Sequence, residues 1–146
     1  MSDDDRPLTP EGTEKFRVAA KGLARIAHRP DVLLTSPLPR ARATAEIAAR
    51  AFKRVTPTVD PILARGDVAG IVAALTIHPV GATVAIVGHE PVLSALLAHL
   101  LGAPHAERLA FKKGGAALID LPDGPASAGR LVWSLPPRIL RTLAGD

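Results

Sequence analysis

Two basic side chains in this sequence stand where an anion can be held. His89 closes the run Thr83-Val84-Ala85-Ile86-Val87-Gly88-His89, just ahead of Glu90-Pro91, and Arg40 closes the run Asp31-Val32-Leu33-Leu34-Thr35-Ser36-Pro37-Leu38-Pro39-Arg40. In both, an apolar stretch passes through a turn into a helical pattern, so each basic residue falls at a strand-to-helix turn. In an open α/β sheet such turns lie at the carboxyl ends of the strands, where ligands bind in the crevice and helix N-termini attract anions. A guanidinium offers an oxyanion a planar, bidentate fork. A cation at a helix start is unfavourable toward the helix dipole, which is easier to understand if Arg40 serves an anion held at the same end. Each residue also has a plainer reading: His89 as a turn residue whose imidazole caps the next helix, and Arg40 as a solvent-exposed charge.

The elements that must position these two residues are legible on either side of them. Residues 83–87 are apolar and β-branched without alternation, which predicts a strand buried on both faces within a parallel sheet. Gly88 permits a tight turn, Pro91 suits a first helical turn, and Leu93, Leu96, Leu97, Leu100 and Leu101 recur at helical spacing up to a stop at Gly102. Residues 31–35 repeat the pattern and lead into a helix through Ala41–Arg50. Upstream, Thr9 reads as the N-cap of a helix that opens on Pro10 and runs to about His28, with Phe16, Ala19, Ala20, Leu23, Ile26 and Ala27 inward and Pro30 preventing its continuation.

Val55–Leu63, with Pro57 and Pro61, reads as an edge strand or extended connection. Asp67 reads as the cap of a helix from Val68 to about Ile77, although a loop carboxylate near the crevice also suits a general acid. Residues 116–121 and 130–135 pair as a hairpin across the polar turn 122–129, and a last helix starts near Pro137. No repeat, linker or boundary interrupts the chain. The expectation is one α/β domain over residues 1–146, with a mostly parallel sheet, helices on both faces and a C-terminal hairpin.

Composition narrows the class. At 146 residues the chain suits a single core, and with 47% hydrophobic but only 3% aromatic residues that core must be aliphatic. Zero cysteines exclude disulfides, thiolate metal sites and a cysteine nucleophile. With no basic-then-apolar leader and no apolar run near the roughly 20 residues that span a bilayer, the expectation is a soluble, cytoplasmic protein with no membrane partner. A net charge of +4 favours acidic or phosphorylated partners. Nucleic acid is not expected, because the basic residues are not interleaved with aromatics that stack bases. Asp3, Asp4 and Asp5 are adjacent and do not converge on one ion, so they read as a solvated acidic run, and neither metal nor cofactor is expected.

The runs Arg6-Pro7-Leu8-Thr9-Pro10-Glu11-Gly12, Ser36-Pro37-Leu38-Pro39-Arg40-Ala41-Arg42-Ala43-Thr44-Ala45 and Val87-Gly88-His89-Glu90-Pro91 together resemble three successive blocks of the histidine phosphatase superfamily, specifically its small SixA type of phosphohistidine phosphatase. The resemblance implies a phosphoglycerate mutase-like α/β fold and transfer of a phosphoryl group to an active-site histidine and then to water. It implies that Arg6 and Arg40 bind the phosphoryl oxygens and that His89 lines the same pocket and stabilises the transferring group. The implied substrate is phosphohistidine on a protein, with small phosphate monoesters as the alternative. A different class, a non-catalytic module that binds phosphoproteins or anions, fits the same residues.

The family's nucleophile belongs to an Arg-His-Gly motif at the end of a first strand, and this sequence contains no Arg-His-Gly. None of His28, His78, His99 and His105 follows a buried strand in the required way. The segment Ser2-Asp3-Asp4-Asp5-Arg6 reads as the loop that follows such a strand, so the expectation is a histidine phosphatase domain lacking its first central strand and impaired in turnover. That strand is expected between residues 31–35 and 83–87.

Overall fold

Asp31 and Thr83 open the two strands that carry the site, and they do so together. The Asp31 backbone N–H donates to the Thr83 carbonyl at 2.8 Å, and the Thr83 N–H donates to the Asp31 carboxylate at 2.8 Å. From there β1 (Val32–Thr35) and β3 (Val84–Val87) run parallel in register, Val32 opposite Val84 and Thr35 opposite Val87. The short β2 (Pro57–Val59) pairs in parallel on the far side of β1, giving the order β2-β1-β3. The computed structural model describes residues 6–145, so the acidic run Asp3–Asp5 lies outside the described residues.

Direct pairing of β1 with β3 corrects one expectation. No strand can enter between residues 31–35 and 83–87, because their facing backbone groups already bond to each other. A second correction concerns burial. Residues Val84–Val87 are half-buried rather than enclosed, since β3 bonds only to β1 and no strand among the described residues covers its other edge.

Alternation along the strands divides the core between the two faces of the sheet. Leu33, Ala85 and Val87 pack with Ala45 and Ala49 of α2 (Pro39–Phe52). Leu34, Val84 and Ile86 pack on the other side with Ile71 of α3 (Val68–Thr76) and with Val92, Leu96 and Leu100 of α4 (Val92–Leu101). Helices thus cover both faces, as the apolar patterns require. No aromatic side chain is among the buried residues, so the packing is aliphatic.

The helix boundaries follow their local chemistry. α1 (Pro10–Ile26) is capped by Thr9, whose hydroxyl accepts from the Gly12 N–H, and it ends two residues short of His28, where Ala27 is already extended. Asp67 caps α3 by accepting from the Gly70 N–H at 3.1 Å, so the carboxylate weighed as a general acid serves a helix end. Gly102 takes the left-handed conformation that stops α4, at φ 66°. Gly88, by contrast, needs no such freedom: its φ is not positive, and a Cβ there would meet Leu93 at an ordinary 3.4 Å.

β4 (Ala116–Asp120) and β5 (Arg130–Leu135) form the expected antiparallel hairpin, a second sheet with a register shift at Leu118/Ile119. α5 (Pro137–Leu143) then packs against α1. Their approach is set by Gly22, which is buried against the Leu140 backbone, and by the Arg25 guanidinium, which donates to the Leu143 carbonyl at 3.1 Å. One further tie reaches the site. The Glu90 carboxylate accepts from the Ser94 N–H in the first turn of α4 at 2.7 Å and from the Phe111 N–H at 3.0 Å, joining that helix end to the loop before β4.

Two outcomes follow from this packing. A Cβ at Gly22 would collide with the Leu140 carbonyl, so Gly22→Ala should lower stability by about 1–3 kcal/mol; an unshifted urea midpoint would contradict the α1–α5 contact. Glu90→Ala removes a helix-capping acceptor and should cost about 1 kcal/mol. Amide hydrogen exchange should accelerate at both Ser94 and Phe111, and acceleration at only one would show that the carboxylate does not bridge the two segments.

Candidate functional site

Because β1 and β3 are parallel and end level at Thr35 and Val87, the residues after them leave the sheet at one edge. Ser36 is pinned there by every polar group it has. Its N–H donates to the Val87 carbonyl at 3.0 Å, its carbonyl accepts from the Thr35 hydroxyl at 3.0 Å, and its Oγ accepts from the Leu38 N–H at 3.2 Å. Ser36 is fully buried. Its Oγ also lies 2.7 Å from His89 Nε2, across the two strand ends.

That contact bears on the reading of His89 as a helix cap. The His89 carbonyl accepts from the Leu93 N–H at 3.0 Å, so its backbone already belongs to the first turn of α4. The imidazole is turned toward the connection between β1 and α2, and the side chain that caps α4 is that of Glu90.

Arg40 is the second residue of α2, on the connection that holds Ser36. The N-cap position, Leu38, has no side chain able to satisfy the first-turn amides, and no acidic residue stands in that turn. The positive end of the helix dipole is therefore reinforced by a guanidinium instead of being neutralised. Arg40 Nε is buried, and no acceptor meets it among the described residues. A buried donor left unmade costs about 1–3 kcal/mol. An anion at the α2 N-terminus would satisfy both the guanidinium and the helix amides. The reading of Arg40 as a solvent-exposed charge does not fit that buried Nε.

Arg6 is exposed, on the separate segment that leads into α1. Its place in the site rests on the resemblance alone. The remaining histidines are elsewhere: His28 and His78 in loops, His99 exposed on α4, and His105 beside Glu107 at 3.4 Å. Among the described residues, no group of three or more metal-ligating side chains gathers, and no helix is long and apolar enough to cross a membrane.

Sequence reasoning missed Ser36 and Glu90 as parts of this edge. For Ser36 the signal was present, a hydroxyl directly after a buried strand, but its partner 53 residues away becomes visible only from the strand register. For Glu90 the signal was an acid at a helix start, where a carboxylate suits the dipole. Taken together, an imidazole and a guanidinium at one sheet edge can stabilise negative charge spread over phosphoryl oxygens.

The chain is similar to known proteins in sequence and in fold. Residues 1–66 match the histidine phosphatase superfamily (branch 1). An uncharacterized protein of Picosynechococcus sp. is 35% identical over 127 residues, which cover 85% of this chain and 76% of the relative. The structure of the protein histidine phosphatase SixA complexed with tungstate superposes with a TM-score of 0.80 at 28% identity, over 95% of this chain and 89% of that one. A crystal structure assigned to the phosphohistidine phosphatase SixA of Agrobacterium tumefaciens superposes with a TM-score of 0.77 at 24% identity, over 92% and 86% of the two chains. With a family match over residues 1–66 and a fold shared with SixA at 28% identity over nearly the whole chain, the chain belongs to the histidine phosphatase superfamily and is of the SixA type.

Proposed function

We propose that the crevice at the carboxyl ends of β1 and β3 binds the phosphoryl group of phosphohistidine on a protein, and that the chain acts in its hydrolysis. The observation that carries this reading is the buried Nε of Arg40, which meets no acceptor among the described residues, on a helix N-terminus without a side-chain cap. In this reading Arg40 grips two phosphoryl oxygens, the α2 amides meet a third acceptor site, and Arg6 supplies a second guanidinium from its own segment. His89 donates to the transferring group as charge develops on it. Tungstate, which the SixA structure at 28% identity contains, is an oxyanion of the same tetrahedral type and supports this use of the crevice. No metal or cofactor enters the reading.

Lysine would keep the charge of Arg40 but lose its planar fork. Titration calorimetry with tungstate should show binding by the parent protein and an affinity at least about tenfold weaker for Arg40→Lys, the loss of a charge-assisted hydrogen bond. Equal affinities would mean that the Arg40 guanidinium does not hold the oxyanion.

Turnover gives a second test. His89 is the one histidine among the described residues at the carboxyl end of a strand of the parallel sheet, and in this reading it stabilises the transferring group without being phosphorylated. Phosphate release from phosphohistidine by the 146-residue chain should then stay near the residual that binding and electrostatics alone provide in other hydrolases, about 10³ to 10⁴ over water. Full turnover with a trapped phosphoenzyme on His89 would overturn that assignment.

A further inference from the structure

We infer that Ser36 is a positioning residue that holds neutral His89 in the tautomer with its proton on Nδ1. This rests on the reading of His89 as a donor to the phosphoryl group.

The inference comes from counting the hydrogen-bonding capacity of one hydroxyl. A serine hydroxyl has one proton to donate and two lone pairs to accept with. Leu38 N–H donates to Ser36 Oγ at 3.2 Å and so takes up one lone pair. The hydroxyl's other partner among the described residues is His89 Nε2, at 2.7 Å. Ser36 is fully buried, so water cannot accept the proton in place of the imidazole. A buried O–H without an acceptor is costly, and the arrangement that avoids this has the hydroxyl donating to an Nε2 lone pair. A neutral imidazole with an unprotonated Nε2 carries its proton on Nδ1. Whatever acceptor the second nitrogen meets, it then meets as a donor, which is the role a phosphoryl oxygen requires.

The position of Ser36 makes it suited to this task. Its backbone is tied to β3 through Val87 and its carbonyl to the Thr35 hydroxyl, while its side chain is held by the first turn of the β1–α2 connection. The hydroxyl cannot follow the ring if the ring swings away. Ser36 thus orients the imidazole as well as selecting its tautomer, the function a carboxylate or backbone carbonyl performs for many other functional histidines.

Long-range proton–nitrogen NMR on uniformly ¹⁵N-labelled protein reads the tautomer directly, with the His89 signals assigned by comparison with His89→Gln. At a pH where the ring is neutral, parent His89 should show a protonated Nδ1 and an unprotonated Nε2. Ser36→Ala should shift the signals toward the Nε2–H form and weaken tungstate binding by about three- to tenfold, as for one hydrogen bond. A protonated Nε2 in neutral parent His89, or an unchanged tautomer in Ser36→Ala, would overturn the inference. The parent measurement decides the matter even if the enclosed alanine variant does not fold. A parent protein that shows the Nδ1–H signature but binds no tungstate would support the positioning role and overturn the proposed function instead.

Discussion

Everything at the site depends on the parallel pairing of β1 with β3. The two strands contribute no functional side chain to the crevice; what they supply is a common end point. With Thr35 opposite Val87, the next residue on one strand and the next two on the other come within reach of each other. The 2.7 Å contact between Ser36 and His89 is the direct result. A shift of one residue in that register would turn Leu33 and Leu34 to the wrong faces, separating Ser36 from His89 and disrupting both halves of the core at once. The same interaction that makes the sheet foldable therefore also makes the site geometrically specific.

Much of this was legible from the sequence because the signals were local. Unbroken apolar runs, Thr9 and Asp67 as caps, Gly102 as a stop and prolines at helix starts each act within a few residues, and the structure places elements where those signals fall. Arg40 was legible for the same reason, since a cation at a helix start conflicts with the dipole in a way visible without coordinates. The failures were non-local. Which strands are neighbours is decided by packing across the whole sheet, so the adjacency of residues 31–35 and 83–87 could not be read from either run. The half-burial of β3 has the same origin, because it depends on what lies beyond its outer edge.

The site also shows a division between groups that hold the scaffold and groups left available. Glu90, Asp67 and Thr9 have their acceptors spent on helix amides, and Asp31 is spent on the strand start. The N-termini of α2 and α5 have neither a side-chain cap nor an acid in the first turn, and at α2 the guanidinium in that turn has a buried Nε that no acceptor meets among the described residues. Capped helices elsewhere show that the chain has the residues to neutralise a helix end. At α2 that has not happened, and this unneutralised helix end lies at the edge that the strand pairing creates.

The Asp31–Thr83 clasp has a kinetic consequence. It joins groups 52 positions apart, and the parallel pair it opens cannot begin to form until that long loop has closed. Helices α2 and α3 lie inside the loop and can form from neighbouring residues in microseconds or less, whereas closure must first overcome the entropy of the intervening chain. Contacts of large sequence separation slow folding, and in this chain the crevice consists of such contacts. Its geometry is therefore acquired with the long-range closure itself, late in folding, and a nascent chain synthesised only as far as α3 would contain Arg40 and Ser36 without the imidazole that completes their edge.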